Sequence, residues 1–116
     1  MITSLQNAMH ESRPAMRGGR GTVELDHWFK PEHFGAKVRL CTRMTLPPGA
    51  SVGNHTHDAE DEVYIVLAGS GRILEAGKWR DIHTGDAILT GKGGSHSVEN
   101  NTDEPLVIAA IIMQYA

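Results

Sequence analysis

The stretch Gly53–Tyr64, GNHTHDAEDEVY, sets two histidines one residue apart and crowds acids behind them. In an extended strand, residues i and i+2 share a face and lie roughly 7 Å apart along the chain. His55 and His57 can therefore aim their rings at one point. Glu62 comes five residues later, after DAED has left room for a turn, and it heads the apolar run VYIVLAG. A carboxylate at the head of such a strand is costly to bury unless it is paired or holds a cation. Each piece alone has a plainer reading. A single H-x-H is ordinary on a surface, and DAEDE by itself is more often a solvated acidic turn. The rest of the chain has to decide.

Outward from this stretch, helix signals are scarce. Thirteen glycines and five prolines cut the 116 residues into short pieces. Between the cuts lie β-rich runs at 37–46, 61–69, 71–76, 86–90, 95–100 and 105–113, several of them alternating with period two. In the first, Val38, Leu40, Thr42, Met44 and Leu46 fall on one face, and Arg39, Cys41, Arg43 and Thr45 on the other. Short strands at this spacing predict an all-β antiparallel sandwich or barrel. EAGKW (75–79) reads as a hairpin with Gly77 at positive φ. Pro47 and Pro48 break the chain, since neither can donate to a sheet ladder.

Composition narrows the class. The length suits one domain, and 40% apolar residues suffice for a core. Acids and bases are mixed at a net charge of −3, which argues against a nucleic-acid footprint. Cys41 is the only cysteine, so an intrachain disulfide and a Cys-pair zinc site are excluded, and a buried thiol is expected. No run is long enough to span a membrane and no secretory signal is visible, so a soluble cytoplasmic protein is expected. Residues 1–21, ending in RGGRG, read as an N-terminal arm that frays or lies on a partner subunit. Residues 22–116 read as the barrel domain.

A third histidine, His96, follows the glycine-rich GKGGS (91–95) and opens another short run. Three imidazoles and one carboxylate suit a first-row divalent metal. The glycine frame now becomes informative. Gly49, His55, His57, Glu62 and Gly69 fit G-x5-H-x-H-x4-E-x6-G, and Gly85, Gly93, His96 and Asn100 fit G-x5-P-x-G-x2-H-x3-N, with Gly91 at the proline position. In these motifs the chain resembles the cupin family, in its compact single-domain bacterial form. The resemblance implies a double-stranded β-helix, or jelly roll, with His55, His57, Glu62 and His96 as ligands of one divalent ion inside the barrel. Manganese or iron is favoured over nickel, copper and zinc. It also implies a homodimer and a small-molecule ligand, with no nucleic-acid or membrane partner.

The implied activity is that of a metalloenzyme of oxidoreductase or lyase type acting on a small carboxylic, hydroxy or keto acid. A metal-dependent sugar or keto-acid isomerase and a non-catalytic metabolite-binding module are the alternatives. No catalytic residue is assigned. Small cupins of this look are often described as similar to oxalate decarboxylases, which usually carry an arginine three residues before the first ligand histidine; here Val52 stands there. An isomerase needs a base, and Glu75, Glu99 and Asp86 are available without being placed. Val52, Tyr64 and Val66 are expected to line the pocket, and Val63, Ile65 and Leu67 to point away from it. Arg39 and Arg43 either hold a substrate carboxylate or face outward. Asn100 is expected to support a ligand or a turn, and His10, His27, His33 and His83 to lie at the surface.

Overall fold

Period-two burial decides the architecture. In β3 (Val38–Leu46), Thr42, Met44 and Leu46 are buried while Arg43 and Thr45 are half-buried. In β5 (Glu60–Ala68), Glu62, Tyr64 and Val66 are buried while Ile65 and Leu67 are exposed. Strands with one apolar face must lay that face on another sheet. The computed structural model describes residues 1–116 and arranges ten strands as two antiparallel sheets. One sheet runs in the order β1 (Met9–Pro14), β2 (Thr22–His27), β3, β10 (Leu106–Gln114), β5 and β8 (Ala87–Thr90). The other runs β4 (Ser51–Thr56), β9 (Ser95–Glu99), β6 (Ser70–Glu75) and β7 (Lys78–His83). Leu25, Met44, Leu46, Val52, Val98 and Ile108 fill the space between them. The result is a jelly roll, in which two sheets share one core and few edges are left open.

The β6–β7 hairpin closes through Ala76 and Gly77, both at positive φ, as a two-residue type I′ turn requires. The N-terminal arm does not hang free. β1 pairs with β2 from Met9↔His27 to Pro14↔Thr22, extending the six-stranded sheet at its edge. After it the chain makes a 3-10 turn, Met16–Gly18, against β4. Two glycines make that contact possible. A Cβ on Gly19 would lie 2.1 Å from the Ser51 carbonyl oxygen, and one on Gly53 would lie 2.1 Å from that of Arg17. Residues 9–21 thus lie on their own barrel, because a backbone-to-backbone approach that only glycine permits fastens them there.

Two β-bulges set the direction of the side chains that matter. Between β4 and β9 the register passes from Val52↔Val98 to His55↔His96, so Gly53 and Asn54 together oppose one residue. Between β3 and β10 it passes from Leu40↔Ile112 to Val38↔Met113, which leaves Arg39 as the extra residue. A bulge resets the alternation and re-aims its neighbours. Val52 and His55 can both point inward only because of the first.

Candidate metal centre

The four side chains converge from three strands and the segment joining two of them. His55 is the penultimate residue of β4, His57 follows that strand, Glu62 lies early in β5 and His96 is the second residue of β9. Their donor atoms all lie within 4.8 Å of one another. His96 Nε2 is 3.0 Å from His57 Nε2 and 3.1 Å from His55 Nε2. Glu62 Oε1 is 2.9 Å from His57 Nε2 and 3.0 Å from His96 Nε2. His57, Glu62 and His96 are buried, and His55 is half-buried.

The other ring nitrogens reveal which atoms carry protons. His57 Nδ1 lies 2.8 Å from Glu60 Oε1 and His55 Nδ1 lies 2.7 Å from the Gly53 carbonyl, and both partners can only accept. Each ring therefore donates from Nδ1, and its neutral tautomer turns the Nε2 lone pair inward. His96 Nδ1 meets the Thr90 hydroxyl at 2.9 Å, which leaves its Nε2 free for the same role. Glu62 Oε1 is buried without a hydrogen-bond donor. With Nε2 unprotonated, its short approaches to the imidazoles set acceptor against acceptor. Lone pairs then face one another at contact distance, an arrangement that a cation among them would stabilise. Donors about 2.1 Å from a common centre lie about 3.0 Å apart at right angles and about 3.4 Å apart at the tetrahedral angle. The four separations of 2.9–3.1 Å match the right-angled case, as between neighbouring positions on an octahedral ion. Burial presses the His55 pKa down to about 4, so the ring is neutral, as a ligand must be, at neutral pH.

A support layer stands behind the cluster. Arg39 donates Nε and Nη2 to the two carboxylate oxygens of Glu60, both at 2.7 Å. That fork, followed by the His57 contact, holds the Glu60 carboxyl down at about 2. Glu60 in turn fixes the His57 ring. Tyr64 stacks on His96 with ring centroids 4.9 Å apart and planes 19° apart. Burial, with the Glu62 charge second, raises the Tyr64 pKa well above its usual value, so the hydroxyl stays protonated.

The cluster opens into a cavity of about 250 Å³. His55, His57, Glu62 and Tyr64 form its floor, and its walls include Met16, Phe29, Leu40, Met44 and Ile112. Arg39 reaches it and Arg43 does not, a split that the bulge at Arg39 explains and strand parity could not foresee. Val52 and Val66, expected in the wall, belong to the core instead. Cys41, expected to be buried, is half-buried beside the cavity. His27, expected at the surface, is buried at 9% exposure, lines the cavity and bonds Glu11 at 2.8 Å. His10, His33 and His83 are exposed. Asn100 serves a turn: its amide donates to the carbonyls of Leu46 and Glu104, and its oxygen accepts from the Thr102 amide. Glu75 and Asp86 line a different hollow, and Glu99 pairs with Arg72 and Arg20. None of the three reaches the cluster. Glu60 escaped the sequence reading because DAED looked like a solvated turn, yet it lies two residues before Glu62 on the same strand face.

The cupin domain family matches residues 42–112, and the chain belongs to that family. It is 45% identical over 98 residues to the oxalate-binding protein of Thermotoga maritima, covering 84% of this chain and 81% of that one. A crystal structure of a predicted oxalate decarboxylase from Thermotoga maritima superposes with TM-score 0.94 at 40% identity, covering 98% of this chain and 99% of that one. The polyketide cyclase RemF from Streptomyces resistomycificus superposes with TM-score 0.80 at 16% identity, covering 100% of this chain and 80% of that one. At that distance only the fold is shared, and the fold alone does not name a reaction. No helix is long and apolar enough to cross a membrane.

Proposed function

We propose that the protein holds one divalent transition metal on His55, His57, Glu62 and His96 and uses it to bind a small chelating acid of the oxalate type. One observation carries this reading: three inward imidazole nitrogens and an undonated carboxylate oxygen converge, and His55, His57 and Glu62 among them line a cavity of about 250 Å³. The 45% identical relative named an oxalate-binding protein supports the choice of acid. Right-angled spacing with mixed nitrogen and oxygen donors favours manganese or iron over tetrahedral zinc. Four protein ligands on an octahedral ion leave two adjacent positions, enough for a bidentate oxygen donor. When bound, the ion supplies charge and Lewis acidity to the oxygens it holds.

The chain's own residues do the rest. Glu60 orients His57, Tyr64 keeps a hydroxyl available as a donor, and Met16, Phe29, Leu40, Met44 and Ile112 give the cavity its apolar side. An isomerase reading has less support, because Glu75, Glu99 and Asp86 all lie away from the cavity. Binding, with decarboxylation or oxidation as the chemistry it would serve, is the better account.

Thermal unfolding of the metal-loaded and metal-free protein tests it. Millimolar oxalate, malonate, lactate and pyruvate should raise the melting temperature of the loaded form and leave the metal-free form nearly unchanged. If none of the four acids shifts either form, the chelating-acid reading fails.

A further inference from the structure

The cavity's charges do not balance: two of its cations, Arg17 and Lys30, make no ion pair, and the backbone singles out Arg17. Four cationic side chains line it: Arg13, Arg17, Lys30 and Arg39. Arg13 is paired with Glu11 at 2.7 Å, and that contact, with His27, keeps Glu11 ionised by lowering its pKa to about 2. Arg39 is taken up by Glu60. Arg17 makes neither an ion pair nor a side-chain hydrogen bond, although its positive charge reaches the buried Tyr64 hydroxyl beside the metal cluster.

Arg17 is also held where it stands at a cost. Ala15 and Arg17 both take left-handed backbone conformations, at φ 49° and 53°, in a segment where two glycines follow directly. Such a backbone persists only where the surroundings impose it. Here they do. The Arg17 carbonyl lies against Gly53, the Arg20 amide donates to Ser51 Oγ at 2.9 Å, and the Ser51 amide donates to the Arg20 carbonyl at 2.9 Å. Gly53 is also the residue whose carbonyl accepts from His55. The strap that carries Arg17 is therefore built onto the same bulge that aims a metal ligand.

We propose that Arg17 is a specificity-determining residue: its guanidinium takes the outward carboxylate oxygens of a dicarboxylate whose inward oxygens face the four-donor cluster. This rests on the chelating-acid reading and refines it to dianions. A monocarboxylate on the same cluster presents no second carboxylate to Arg17 and gains less from it. Arginine suits the task because its planar fork matches two carboxylate oxygens at once.

Calorimetric titration of the manganese-loaded protein with oxalate and with lactate tests the proposal, using wild type, Arg17→Gln, Arg17→Lys and, as a control of equal charge change outside the cavity, Arg43→Gln. Glutamine adds no backbone strain that arginine lacks. Arg17→Gln should weaken oxalate about tenfold or more, weaken lactate less than about threefold and leave manganese affinity unchanged. Arg17→Lys should fall between, and Arg43→Gln should match wild type. Unchanged oxalate affinity in Arg17→Gln overturns this proposal alone, as does an equal loss for both acids or a parallel loss of manganese. A wild-type protein that binds neither acid overturns the chelating-acid reading together with it.

Discussion

At the scale of single residues, the cluster works because every imidazole is turned the same way. His57 owes its orientation to Glu60, which owes its own to the Arg39 fork. Removing the Glu60 charge while keeping an acceptor should loosen the ring and lower its basicity. Glu60→Gln is therefore expected to weaken metal binding roughly 10–100-fold, measured by competition with a chromogenic chelator. Equal affinity in the two proteins would show that Glu60 is a bystander. The four residues that converge were legible in the sequence because their spacing falls inside a glycine frame, His55, His57 and Glu62 in one motif and His96 in the other. Glu60 and Arg39 were not. Glu60 sits inside an acidic run whose commonest meaning is solvation, and Arg39 enters the cavity through a bulge. His27 was misread for a related reason: it is buried by β1, a strand the sequence does not announce.

At the scale of elements, six runs read from alternation coincide with β3, β5, β6, β8, β9 and β10. β1 and β7 are edge strands rich in polar residues, MHESRP and KWRDIH, so they lack the apolar rhythm by which strands are detected. Bulges leave no such mark either, since the extra residue shows only when two strands are paired. The β4 bulge is nonetheless the element on which the site depends, because it turns both Val52 and His55 inward and seats the strap. Gly53→Ala should cost about 2 kcal/mol or more, since the new Cβ meets a backbone carbonyl at 2.1 Å and neither partner can rotate away. Gly49→Ala places its Cβ in open space at φ 82°, so only the left-handed backbone is penalised, at about 1 kcal/mol. Thermal denaturation should rank wild type above Gly49→Ala above Gly53→Ala. A Gly53→Ala protein as stable as wild type would mean that the strap is not fastened there.

At the scale of the whole molecule, the outer face of the six-stranded sheet is apolar at its β8–β5–β10 end. Leu89, Val63 and Ile111 form one row, and Ala87, Ile65 and Ala109 the next. Leu89 is 67% exposed, which is unusual for a leucine on a sheet face with no cover. We infer that a second copy covers this face in a symmetric dimer, which light scattering at tens of micromolar should report as twice the 12.6 kDa chain. A mass of one chain at that concentration would refute it. The barrel itself exists to bring β4, β5 and β9 to one point, and what meets there is the central claim. Metal content after exhaustive dialysis, in wild type, His57→Ala and His83→Ala, tests it most directly. One equivalent of divalent metal should remain in wild type and in His83→Ala, whose histidine is exposed and far from the cluster, and most of it should be lost from His57→Ala. Equal metal in wild type and His57→Ala would contradict the account.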